Sequence, residues 1–116
     1  MNTWHWEIIE GDHSYRDFSL RDSGERTDLT SYEIRISQQW KNGSKLPLQR
    51  FLQVDKAAGV IGLDIPAKEM AKVYPRRQDK RVRKTKIGSY ALDIERNGQR
   101  ILVAMGDIVL TRKGKK

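Results

Sequence analysis

Apolar residues fall at every second position along much of this chain, in short runs broken at intervals by turn residues. Alternation of that kind puts one face of a strand in a core and the other in solvent. "WHWEIIE" sets Trp4, Trp6 and Ile8 on one face and His5, Glu7 and Ile9 on the other. "YRDFSLRD" brings Phe18 and Leu20 together, and "YEIRISQQW" turns Tyr32, Ile34 and Ile36 inward against Glu33, Arg35 and Ser37. Between these two runs, Asp22-Ser23-Gly24-Glu25 has turn chemistry, with Gly24 free to take a positive φ. A hairpin-like bend is expected there.

Past Trp40, Lys41-Asn42-Gly43-Ser44 reads as an Asn-Gly turn, a type favoured where two successive φ angles are positive. "LPLQRFLQV" reads as a strand that begins at or near a sheet edge, because Pro47 has no N–H for a ladder. "GVIGLDI" places Ile61, Leu63 and Ile65 on one face with Val60 opposite. Pro66 suits a first helical turn and Ala67 to Lys72 are good helix formers, so about two turns of helix are expected in "PAKEMAKVY". "IGSYALDIERNGQRILVAMGDIVLTR" predicts a strand, an Asn97-Gly98 turn, a strand, a short bend at Gly106 and a final strand. Tyr90, Leu92 and Ile94 face the core, Ile101, Val103 and Met105 lie opposite or beside them, and Ile108 and Leu110 close the set. About seven to eight short strands with one short helix predict an all-β fold, an immunoglobulin-like antiparallel β-sandwich.

The chain has 116 residues, enough for one domain over 1–111 that buries roughly 60 to 70% of its unfolded surface. With 37% apolar and 33% charged residues, the core is comparatively thin. Cysteine is absent, which excludes disulfides, thiolate metal sites and thiol catalysis. The amino terminus has no basic segment followed by an apolar run, and nowhere do about 18 apolar residues occur together, so a soluble chain made in the cytoplasm without an export signal is expected. Asn42-Gly43-Ser44 matches a glycosylation pattern, but without secretion it reads as a turn.

The net charge of +8 is concentrated. "PRRQDKRVRKTK" (75–86) carries Arg76, Arg77, Lys80, Arg81, Arg83, Lys84 and Lys86 against a single Asp, and the tail 112–116 adds Arg112, Lys113, Lys115 and Lys116. The rest of the chain is nearly neutral, so the basic character belongs to one loop and one tail. Cations this dense repel one another unless an acidic protein surface or a phosphate backbone offsets them. Only Tyr74 borders the loop, so base stacking by aromatics is not provided for.

Other chemistry is sparse. His5 and His13 are the only imidazoles, and "GDHSYRD", with Asp12 and Asp17, matches no tetrahedral or calcium-loop spacing, so no metal is expected. No serine lies in a Gly-x-Ser-x-Gly elbow, no phosphate-binding glycine pattern occurs, and Asp64 and Asp93 read as outward strand positions. Neither an enzyme nor a cofactor site is expected. Trp4, Trp6 and Trp40 read first as lids of a small core, and alternatively as docking aromatics for a neighbouring subunit.

"DSGERTDLTSYEIRI", then Gly59 to Leu63 in "GVIGLDIPAKEM", then "YALDIERNGQRILVAMGDIVLTR", resemble in order and spacing the small β-sandwich domains of phage tail, neck and baseplate proteins. Such domains carry an Asp-Leu-Thr-Gly-Tyr-like segment opening an alternating strand, a Gly-x-Ile-x-Leu strand before a helical turn, and a Tyr-x-Leu-Asp strand before a closing hairpin. Ser31 stands where that family has Gly, and the basic insertion departs from its pattern. The resemblance implies a non-enzymatic virion adaptor, present in several copies around a symmetric ring and bound to other structural proteins; capsid decoration is an alternative within that class. From the residues themselves, Asp28 and Thr30 can satisfy nearby N–H groups while Leu29 drops into the core, fixing the register of the following strand. The rival from another class is a small basic nucleic-acid-binding barrel that grips phosphates through the loop and tail.

Overall fold

The computed structural model describes residues 2–22, 24–74 and 84–112. In chain order its strands are β1 (Asn2–Thr3), β2 (Trp6–Ile9), β3 (Ser14–Ser19), β4 (Arg21–Asp22), β5 (Glu25–Arg26), β6 (Glu33–Trp40), β7 (Leu52–Asp55), β8 (Val60–Ile65), β9 (Lys84–Arg96) and β10 (Gln99–Thr111). One α-helical turn, α1 (Ala67–Met70), continues into a 3₁₀ turn at Ala71–Val73, and a second 3₁₀ turn occupies Leu48–Phe51.

β9 and β10 form a long antiparallel hairpin closed at Asn97 and Gly98, whose φ angles are 53° and 78°. Two positive φ angles give the turn a twist that matches its strands. β6 pairs antiparallel with the other edge of β9, from Glu33 opposite Glu95 to Trp40 opposite Gly88. Along β10 lie β1 and β2 in a common register, Thr3 beside Met105 and Trp6 beside Ile108. One sheet therefore runs from the amino-terminal strands through β10 and β9 to β6, and the facing sheet has the order β3-β8-β7. In an immunoglobulin sandwich these are strands C, F and G facing B, E and D. The expected fold class is thus the one that forms. Its first strand, however, runs parallel to β10 rather than antiparallel to a neighbour, because the chain enters beside its own last strand and covers that edge.

Side chains from both sheets meet between them. Ile8, Phe18, Ile61, Leu63, Leu92 and Ile108 are almost completely buried. The helical segment after β8 turns Met70 and Val73 into the same core. Leu29 is fully buried between two short bonds: Thr30 donates its N–H to the Asp28 carboxylate at 2.9 Å, and Tyr32 donates its own to the Leu29 carbonyl at 2.9 Å. The segment before β6 is therefore a local register device, as its residue types indicated.

The expected bend forms at Gly24, where φ is 85°, and closes the small β4–β5 ribbon, while β3 and β6 go to opposite sheets. Three local expectations need correction. At Lys41-Asn42-Gly43-Ser44 only Gly43 takes a positive φ, because the Asn42 side chain accepts from Ser44 N–H and donates to the Lys72 carbonyl, holding a turn that is not a hairpin. The predicted strand in "LPLQRFLQV" starts only at Leu52, after a 3₁₀ turn whose Leu48 is buried and whose Gln49 side chain bonds to β6. Finally, β10 continues through Gly106 without a break, and its alternation changes earlier, at a bulge beside Val103. The extra residue moves Ala104 inward and leaves Met105 39% exposed, while Ile101, near the hairpin tip, is 50% exposed.

Gly106 is required by close approach rather than by a bend. A Cβ there would lie 1.9 Å from the Trp4 carbonyl oxygen, the same oxygen that accepts the Tyr90 hydroxyl at 2.7 Å. Gly106→Ala is expected to push the amino-terminal strand off β10 and lower stability by about 2–4 kcal/mol, overpacking plus one lost hydrogen bond, measured by urea unfolding. A loss under about 0.5 kcal/mol, the size of an ordinary surface change, would show that the strand does not pack against β10 in this way.

Candidate interaction surface

The first residue of β9, Lys84, is paired with the last of β10, Thr111. The chain entering β9 and the chain leaving β10 therefore meet at one end of the sandwich. Tyr74 comes to the same end, its hydroxyl accepting the Gly11 N–H at 3.2 Å, while the adjacent Glu10 donates its N–H to the Thr111 carbonyl at 2.9 Å. Lys41 joins them by donating its N–H to the Ile87 carbonyl at 2.9 Å. Both flanks of the basic loop and the root of the basic tail are thus gathered together. Arg76, Arg77, Lys80, Arg81, Arg83, Lys113, Lys115 and Lys116 lie outside the described residues.

Two described cations at this end, Lys84 and Lys86, have acidic neighbours. Lys84 Nζ is 3.5 Å from Glu7 Oε2, and Glu7 Oε1 accepts the Thr111 hydroxyl at 2.8 Å. Lys86 Nζ is 2.9 Å from Asp107 Oδ1, and the Asp107 N–H donates to His5 Nδ1 at 3.2 Å. The Thr111 hydroxyl bond, then the charge of Lys84, holds the Glu7 carboxyl below its ordinary pKa. The bond from Lys86 does the same for Asp107. In solvent such pairs add little stability, but they set the local field that a partner meets.

The tryptophans divide. Trp6 is 2% exposed and meets Tyr90 edge-on at 6.3 Å; Trp40 is 7% exposed and donates its indole N–H to the Leu46 carbonyl at 2.9 Å. Both belong to the core, in keeping with the first reading of them as core lids and not with the alternative of docking aromatics. Trp4 is half-buried and stacks on Phe18 at 5.4 Å, with the Arg16 guanidinium 5.8 Å from its ring. It ties the amino-terminal strand of one sheet to β3 of the other.

The remaining sequence candidates do not assemble. His13 bonds Asp64, His5 faces Asp107, and Asp93 lies 3.6 Å from Arg100. Among the described residues no three His, Cys, Asp or Glu side chains come together as metal ligands, and no helix is long and apolar enough to cross a membrane.

Beside β6 an open groove of about 800 Å³ is lined by Ile34, Ile36, Leu52 and Val54, with Glu33 and Arg35 among its charged residues. The Gln49 side chain spans it, accepting the Ile36 N–H at 2.8 Å and donating to the Ile34 carbonyl at 3.0 Å. Gln49 is 13 and 15 residues from its partners, and no local periodicity announces such a contact.

No family model matches this chain, and no curated protein matches it. Among solved structures it is similar to a crystal structure of the ZIG-8–RIG-5 IG1–IG1 heterodimer, with 14% identity and a TM-score of 0.37 over 98% of this chain and 84% of that one. The fold assignment rests on the strand order and not on that likeness.

Because the folded-state pKa values of Glu7 and Asp107 are lowered, their contributions are present above the ordinary carboxylate range and disappear as pH falls through the folded values. Carboxyl-carbon NMR is expected to show Asp107 titrating below its ordinary 3.8, and Lys86→Ala is expected to return it toward that value without moving Glu7. An Asp107 titration unchanged by the substitution would mean that the pair does not form in solution.

Proposed function

We propose that this chain is a non-enzymatic virion component, an adaptor module that attaches to a phage tail, neck or baseplate and links it to fibres or neighbouring subunits. The observation that carries its protein-binding part is the gathering of the basic loop's flanks and the tail's root at one end of a rigid sandwich. A cationic end of this kind fits an acidic protein surface through electrostatic complementarity, which governs orientation and encounter rate. Several copies around a symmetric ring would turn modest single contacts into firm attachment. The virion setting is supported by the resemblance of three segments to tail, neck and baseplate domains; two of them fold as a register turn before β6 and as the β9–β10 hairpin.

A second reading is favoured by one specific observation, the seven cations between Pro75 and Lys86. On that reading the same end of the molecule grips a phosphate backbone, and binding falls steeply with added salt. Against base recognition on this reading stands the absence of aromatic residues from the loop, which only Tyr74 borders.

Fluorescence titration separates the two. Labelled duplex and single-stranded DNA are titrated with the full chain at near-physiological and at high salt, beside a variant with Arg76, Arg77, Lys80, Arg81, Arg83 and Lys84 changed to Ser. The adaptor reading predicts marginal binding at near-physiological salt, and recovery of the chain from purified virions by quantitative mass spectrometry. Sub-micromolar binding that is lost in the variant would overturn it in favour of nucleic acid.

A further inference from the structure

We propose that the amino-terminal half of the β6 edge is a self-association surface, on which a second copy of this chain adds its own β6 antiparallel about a two-fold axis through Ile34. The proposal does not depend on the function argued above, since a dimer of this kind serves a protein partner and a nucleic-acid partner alike.

Among the described residues, β6 is hydrogen-bonded to a strand on one side only, by β9. On the other side Ile34 and Ile36 turn peptide groups outward, and the Gln49 amide meets them as a neighbouring strand would. Farther along, the edge is closed by the chain itself: Leu48 donates its N–H to Gln38 Oε1 at 3.0 Å, bringing the 3₁₀ turn against it. The half that borders the groove is covered by side chains alone: Gln49 on Ile34 and Ile36, and Lys56 on the Tyr32 carbonyl at 3.0 Å, which an incoming strand can displace.

Free edges are commonly protected by charges, which repel an incoming copy when like meets like. Here the two charges flanking Ile34 on the outward face are Glu33 and Arg35, of opposite sign, only 3.0 Å apart. Antiparallel pairing about Ile34 sets Glu33 opposite the partner's Arg35 and Arg35 opposite the partner's Glu33. Ile34 meets its own copy on the apolar side, beside Ile36. The charge pattern is therefore complementary to itself in this register, whereas shifting the centre to Arg35 would oppose two arginines. Arg35 can retain Glu95, 3.6 Å away, while exchanging Glu33 of its own strand for the partner's Glu33. The two bonds given up by Gln49 are replaced one for one: the Ile34 carbonyl accepts from the partner's Ile34 N–H, and the Ile36 N–H donates to the partner's Tyr32 carbonyl.

Sedimentation equilibrium of the full chain over a concentration series tests this, with circular dichroism confirming that each variant is folded. The wild type is expected to dimerise. Glu33→Arg and Arg35→Glu, each alone, are expected to weaken the dimer by about tenfold or more, because each turns two symmetry-related attractions into repulsions. The double exchange E33R/R35E restores opposite charges across the axis and is expected to return the affinity to within about threefold of wild type. Should Arg35→Glu not fold, Glu33→Arg and the double exchange decide the matter. A wild type that stays monomeric throughout, or a dimer indifferent to Glu33→Arg, would overturn the proposal, the latter by placing association on another face.

Discussion

The hydrogen-bond ladder between β9 and β10 is the constraint on which the rest of this molecule depends. It supplies the middle of one sheet, so that β6 is laid along one side and the amino-terminal strands along the other. Its two irregularities decide what faces inward. At the bulge beside Val103, Ala104 and Gly106 come to the core side in phase with Ile108 and Leu110; at the irregularity beside Gly88, Ile87 is buried next to Gly88. Without these two extra residues a strictly alternating hairpin of this length would turn part of its apolar set to solvent.

Trp4 adds one point of attachment between this hairpin and the second sheet, beside the shared core. Its backbone bonds β10 through an N–H given to the Met105 carbonyl at 2.8 Å, its carbonyl accepts Tyr90 of β9, and its ring stacks on Phe18 of β3. Gly106 makes room for that backbone, and Arg16 covers the ring. The same arrangement that brings the amino terminus beside β10 also brings Glu7 to Lys84 and His5 to Asp107. The electrostatics of the cationic end thus follow from how the first strand is seated.

Much of this was legible because burial of one strand face leaves a period of two in the residues. The inward sets at Trp6 and Ile8, at Ile34 and Ile36, and at Ile61, Leu63 and Ile65 are buried as read. What was not legible came from contacts distant in sequence. The two Asn-Gly pairs are alike on paper, yet Asn97 adopts a positive φ between two paired strands while Asn42 is held by Lys72, 30 residues away. Bulges leave no mark in residue type, so Met105 read as core. The opposite signs of Glu33 and Arg35 were visible as an outward face, but only the placement of Gln49 at the strand edge gave them meaning.

The proposed function draws on the same ladder, since the pairing of Lys84 with Thr111 brings the start of β9 beside the end of β10. The measurement that tests this dependence most directly is amide hydrogen exchange on the full chain, resolved by residue. If the hairpin is the element on which the others rest, amides of β9 and β10 between Tyr90 and Ile108 open only with global unfolding and exchange most slowly of all. Slowest exchange in the β3-β8-β7 sheet, with the hairpin opening earlier and independently, would contradict the account.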